Sequence, residues 1–222
     1  MVRIALRIVQ GLGLAAAMVV ASLTFYAVDG YLDALRDAPA LAERADRLIA
    51  EGRGPSGLGL GRFELLLRVE DPAFETHNGV DLSSPGAGIT TLTQSLAKRL
   101  AFERFRPGLG KLRQTTYALG LERRLTKEQI AALALDTAQM GRGPDGWMQG
   151  FYTASGDIYG RAPEALTEAE FLRLVAVLIA PARYDLQRPD PELDDRVGRI
   201  TRLVHGTCEP TGPRDVWLDG CA

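Results

Sequence analysis

From Ile8 to Val28 the chain reads IVQGLGLAAAMVVASLTFYAV, with no charged side chain and Gln10 as its one strongly polar residue. No other feature narrows the fold as much. About 20 apolar residues at a 1.5 Å rise cross a hydrocarbon core of roughly 30 Å, and in lipid one segment satisfies its own backbone only as a helix. Arg3 and Arg7 precede the run, Asp29 and Asp33 follow it, and Phe25 and Tyr26 suit the far interface. The positive-inside rule then leaves 1–7 in the cytoplasm and sends everything after 28 outside. A cleaved signal peptide is the rival reading, since the middle is Ala-rich and Ala27-Val28-Asp29 tolerates cleavage. The length of the run favours a retained anchor over 8–28, and both readings export the remainder.

The exported part begins with a linker and membrane-proximal region, 29–61. Tyr31–Glu51 reads as a helix pair interrupted at Pro39, and Gly52–Gly61 (GRGPSGLGLG) as a loop. Beyond it, helical periodicity dominates 62–205. Helices are expected over Arg62–Val69, Thr90–Leu100, Leu109–Arg124 and Trp147–Tyr159. Capping boxes at Thr126–Gln129 and Thr167–Glu170 open two more, and a last one follows Asp190. The run FLRLVAVLIA after Glu170 is too short for a span and reads as a buried core helix. No convincing strand appears, so the fold class is mainly α. A net charge of −2 argues against a nucleic-acid binder, which needs a basic excess.

Three places carry candidate chemistry. Glu70-Asp71-Pro72 has the local form of a helix start, with Asp71 as N-cap and Pro72 at N1. With Phe74, His77 and the Gly79 turn behind it, it also has the form of a cleft edge. Thr91, Gln94 and Lys98 stand at i, i+3 and i+7, which puts hydroxyl, amide and ammonium on one helical stripe. That stripe suits a sugar phosphate, or it is simply a solvated face. Among 26 basic residues only Lys98, Lys111 and Lys127 are lysines. Lys98 through Lys111, with Arg104 and Arg106, forms a basic cluster, whereas Lys127 sits in a capping box and reads as structural. Cys208 and Cys221 lie in the tail 206–222 without metal-site spacing. They either pair as a disulfide, which an exported compartment favours, or remain two thiols.

Taken in order, these segments resemble the family 51 glycosyltransferases, the peptidoglycan transglycosylases. Glu70-Asp71-x-x-Phe74-x-x-His77-x-Gly79-Val80-Asp81 resembles the first family signature, and Thr90 through Lys98 the second. Lys111–Leu135 is similar to the third, Gly150–Arg161 to the fourth, and Leu166–Tyr184 with Ala180-Pro181-Ala182-Arg183 to the fifth. The resemblance implies a lysozyme-like helical lobe beside a small membrane-proximal lobe, preceded by one transmembrane helix. It implies a single-pass protein of the bacterial inner membrane whose catalytic domain is periplasmic. Lipid II and the growing glycan strand are the implied substrates, other cell-wall synthesis proteins the implied partners, and nucleic acid is not among them. Glu70 is the implied catalytic base. Asp71, Phe74, His77, Thr91, Gln94, Lys98, Lys111 and Gln114 are the implied substrate-binding residues, with a divalent cation (Mg or Mn) as an aid at the pyrophosphate and no metal site of the protein's own.

Departures from the pattern mark a divergent member. Gln114 stands where the family has a second glutamate, Gly110 where arginine is usual and Asp136 where asparagine is usual, and the paired glycines of the second signature are missing. Gln keeps shape and hydrogen bonding but not charge. An active polymerase and a non-catalytic lipid II-binding or scaffold relative are therefore both open readings. A degradative, lysozyme-like activity is a third; it uses a cleft glutamate but has no need of the lysine-bearing second signature.

Overall fold

The computed structural model describes residues 2–222, with side chains from Arg7 onward apart from Ile8 and Val9. Met1 and the side chain of Arg3, part of the expected cytoplasmic end, lie outside the described residues. In chain order the helices are α1 (Val2–Ala50), α2 (Arg62–Glu70), α3 (Leu92–Leu100), α4 (Leu109–Arg124), α5 (Lys127–Thr137), α6 (Phe151–Tyr159), α7 (Glu168–Val177) and α8 (Pro191–Val204). The mainly helical class expected from the sequence is what the structure has.

The N-terminal part of α1 is long and apolar enough to cross a membrane, and every residue from Gln10 to Ser22 is exposed. Ser22 and Thr24 donate their hydroxyls to the carbonyls of Met18 and Val20, so these polar groups need no outside partner. The second half of α1 was expected to break at Pro39, and it does not. Proline removes one bond from the ladder, but packing holds the helix on both sides of the gap. Ala34, Ala38, Ala45 and Leu48 are buried in a core shared with α4 and α5.

Polar contacts fix how α1 and α4 run. Arg113 pairs with Asp29 (2.7 Å) and with Asp33, while Tyr117 donates to Asp37 at 2.6 Å. The two helices are therefore parallel, and α4 begins beside the end of the apolar run. Their approach is close: a Cβ on Gly120 would lie 2.6 Å from that of Ala34.

A second correction concerns residues 139–150. The sequence shows no convincing strand and predicts one helix from Trp147 to Tyr159. Instead β1 (Gln139–Gly143) and β2 (Gly146–Gln149) form an antiparallel hairpin with Gly143 opposite Gly146, and α6 starts only at Phe151. Pro144-Asp145-Gly146 is a turn signal, but such short strands show no alternation. Elsewhere local chemistry sets the boundaries. Thr91, Thr126 and Thr167 each close a capping box, and Asp190 caps α8 ahead of Pro191.

Two cores lie side by side. One joins the second half of α1 to Phe74, α3, α4 and α5. The other joins α2, the hairpin, α6, α7, α8 and the tail, where Cys208 and Cys221 form a disulfide. Phe63 and Leu67 pack against both. Burying each large apolar side chain contributes about 1.5–3 kcal/mol, so each core is a substantial stabilising unit. The cleft opens between them.

Candidate active site

A cavity of about 600 Å³ separates the two cores. Its charged lining is Glu70 from the last turn of α2, Lys98 and Arg99 from α3, Arg196 from α8 and Arg214 from the tail. Leu66, Leu135 and Phe151 add apolar wall. One carboxylate thus shares the space with four cations.

Glu70 keeps a partly accessible edge, and among the described residues no side chain hydrogen-bonds to its carboxylate. Burial pushes its pKa from 4.5 up to about 7, against the fields of Arg196 and Arg99, while the Asp71 carboxylate adds to the rise. Arg99 is held in place: its Nε–H donates to Thr137 Oγ1 at 2.9 Å and a terminal N–H to the Ala134 carbonyl at 3.3 Å. Burial lowers Arg99 to about 10, with Glu70 opposing, which still leaves it cationic at neutral pH. Lys98 is exposed, its ammonium 5.1 Å from the centre of the Phe105 ring. Lys111 stands at the rim, where its ammonium donates to Thr90 Oγ1 (2.9 Å), and Thr90 lines the cavity. Burial, and then the neighbouring Lys98 charge, hold Lys111 below the usual lysine value.

The other residues expected to touch substrate lie behind this wall. Asp71 does not begin a helix; it ends α2, its N–H bonding the Leu67 carbonyl at 2.8 Å, and turns follow it. Its buried carboxylate instead accepts from the Leu92 N–H at the start of α3 (2.8 Å) and from His77 Nε2 (2.9 Å). His77 Nδ1 accepts from the Gly79 N–H at 2.9 Å, so the ring donates through Nε2. Phe74 is fully buried between the edges of Phe63 and His77.

Thr91 donates to the Gly79 carbonyl (2.9 Å) and accepts from the Gln94 N–H (3.1 Å). Gln94 completes the capping box and also donates to Thr115 at 3.0 Å. Gln114, 2% exposed, donates to the Gln94 carbonyl at 2.7 Å, and its Oε1 has no partner among the described residues. None of Asp71, Phe74, His77, Thr91, Gln94 and Gln114 lines the cavity. Thr91 is the N-cap of α3 with extended backbone (φ −68°, ψ 165°), so its hydroxyl turns to the Gly79 carbonyl and the Gln94 N–H. These polar groups form one hydrogen-bonded brace from the end of α2 to the start of α3. Thr91→Val is expected to cost about 1–2 kcal/mol in urea unfolding, with the cleft cations unchanged.

Arg99, Arg196 and Arg214 were not anticipated. Arg99 followed a lysine in an arginine-rich chain, and the other two reach the cleft only through the packing of distant segments. Asp136, another departure from the family pattern, lies outside the cavity and pairs with Arg44 and Arg53, both at 2.6 Å. A protein-held divalent cation does not fit this site. Hard cations need several oxygen ligands, whereas Glu70 is surrounded by positive charge, and no cluster of three His, Cys, Asp or Glu occurs among the described residues.

Comparison with known proteins adds a family. The profile described as Transglycosylase matches residues 63–205. The biosynthetic peptidoglycan transglycosylase of Xanthomonas campestris pv. campestris (strain B100) is 29% identical over 149 residues, covering 62% of this chain and 59% of that protein. Penicillin-binding protein 1B of Buchnera aphidicola is 33% identical over 132 residues, covering 54% of this chain and 17% of its own length. Penicillin-binding protein 1B of Escherichia coli (strain K12) is 28% identical over 154 residues, or 64% and 18%. The match thus spans under two thirds of the Xanthomonas protein and under a fifth of the penicillin-binding proteins.

Proposed function

Since the chain belongs to the family 51 transglycosylases, we propose that it polymerises lipid II into glycan strands at the outer face of the bacterial inner membrane. The observation that carries this reading is one deep carboxylate sharing a cavity with Lys98, Arg99, Arg196 and Arg214. Ionised Glu70 takes the proton from the 4-hydroxyl of the acceptor sugar as that oxygen attacks C1 of the donor. The bond from C1 to the pyrophosphate breaks, the leaving group keeps the electron pair, and the anomeric centre inverts. A base with a pKa near 7 is matched to neutral pH. Lys98, Arg99 and Lys111 offset charge gathering on the departing undecaprenyl pyrophosphate, so no step is assigned to a metal.

The lipid link is supported by position. Lys111 is two residues from Arg113, which pairs with Asp29 just beyond the apolar run. The cation-lined rim therefore lies near the end of the apolar run, within reach of a pyrophosphate that a lipid would carry there. The partners of this activity are the glycan strand and other cell-wall synthesis proteins. Position 114 lies behind the wall, so Gln114 removes no charge from the lining, which favours catalysis over a binding-only scaffold.

Labelled lipid II incubated with the detergent-solubilised protein tests the reading. A ladder of long glycan products is the expected result. Binding without polymer would point to the scaffold, and cleavage of finished peptidoglycan to the degradative class; either overturns it.

A further inference from the structure

We propose that the disulfide-closed segment 206–222, which follows the family match ending at 205, is a working wall of the cleft, and that its Arg214 binds a phosphate-type anion there. Identifying that anion with the pyrophosphate of the lipid-linked donor rests on the function proposed above; the anion site itself does not.

The segment is built to hold a fixed shape. Besides the Cys208–Cys221 bond, the Asp215 carboxylate accepts from the backbone N–H groups of Thr211 (3.0 Å), Asp219 (2.7 Å) and Gly220 (3.0 Å). Leu218 is buried with a left-handed backbone, φ 58°, a conformation a leucine keeps only when its surroundings impose it. The shape is tied to both sides of the cleft. On one side Gly86 and Gly88 donate to the carbonyls of Gly212 (3.0 Å) and Pro213 (2.8 Å). Both glycines have positive φ, and a Cβ on Gly88 would lie 2.8 Å from Val216 Cγ1. On the other, Arg196 donates to the Val216 carbonyl (3.0 Å) and Arg199 to Asp219 (2.6 Å).

Arg214 stands between these ties. Arg214 lines the cavity that holds Glu70 and Lys98 and also the adjoining surface pocket beside Trp217 and Asp219, the residue is exposed, and it makes no hydrogen bond or ion pair among the described residues. A structural arginine on a tightly bonded loop would be spent on a carbonyl or carboxylate, as Arg196 and Arg199 are. Arg214 is left to add to a cation surplus in a confined, partly apolar space, the condition that draws an anion, and its planar fork suits phosphate oxygens. The disulfide then acts as a positioning element.

Equilibrium dialysis of the full-length protein against labelled inorganic pyrophosphate tests this. Arg214→Gln should weaken binding by about tenfold, while Arg188→Gln, a change at an exposed arginine outside the cavity, should leave it unchanged. Reduction should weaken wild-type binding towards the Arg214→Gln level and add little to that variant; Cys208→Ser/Cys221→Ser should behave like reduced wild type. If the double variant does not fold, Arg214→Gln decides alone. Equal binding by wild type and Arg214→Gln, or none by wild type, overturns the proposal. Lipid II polymerisation is assayed in parallel, where a raised KM with kcat within about twofold is expected for Arg214→Gln. Pyrophosphate binding that depends on Arg214, in a wild type that makes no polymer, would uphold the anion site and sink the polymerase reading.

Discussion

Glu70→Gln is expected to cut glycan polymerisation by about 10²- to 10⁴-fold, the usual worth of a positioned base, while making the folded protein more stable at neutral pH. The amide has nearly the same shape but cannot accept the hydroxyl proton, so pyrophosphate binding should survive. The stability gain follows from linkage. Burial raises the carboxyl from 4.5 to about 7. Below the unfolded value both states are protonated and the site costs nothing. Between 4.5 and 7 the unfolded chain ionises first, so stability falls as pH rises, and above 7 the full penalty is present. A shift of this size corresponds to at most about 3 kcal/mol, less because Glu70 keeps an accessible edge. Urea melts of wild type and variant should therefore diverge at pH 8.5 and converge below pH 4.5. A variant less stable than wild type at pH 8.5 would contradict the assignment of Glu70 as a desolvated, functionally retained acid.

Gln114→Glu, which installs the acid that the family resemblance implies at this position, is expected to destabilise the protein by about 2–4 kcal/mol above neutral pH rather than to activate it. Gln114 donates to the Gln94 carbonyl from a buried position. A carboxylate there turns an acceptor towards an acceptor. The substituted acid keeps the bond only while protonated, so its folded pKa should rise above the unfolded value. Stability should accordingly be close to wild type below about pH 4.5 and decline as pH rises. Melts at pH 4 and pH 8.5, with the polymerisation rate at the higher pH, check both halves. A large gain in rate without loss of stability would mean that position 114 reaches the substrate.

What could be read in the sequence was what is decided locally. The starts at Thr126, Thr167 and Asp190 rest on side chains that reach backbone groups two or three residues away, and the ends of α4 fall where periodicity put them. The apolar run of α1 needs no tertiary information. Pro39 was misread because neighbouring helices, not propensity, keep α1 intact, and the hairpin because its strands are too short to display a period. Within the site, Glu70 and Lys98 do line one cavity. Asp71, His77, Thr91, Gln94 and Gln114 hydrogen-bond to one another and to nearby backbone, a turn of each polar side chain that motif spacing does not specify. Arg196 and Arg214 were invisible for the opposite reason: α8 and the tail reach Glu70 only once the second core has formed.

Glu70, held near pKa 7 in a cation-lined cleft, is the proposed base of sugar transfer. The most direct test is the pH dependence of kcat/KM for lipid II polymerisation between pH 5 and 9. A single ionisation on the acidic limb, with unit slope and a midpoint near 7, is the expected result. A midpoint at the ordinary carboxylate value near 4.5, or an unchanged limb in Glu70→Gln, would contradict it.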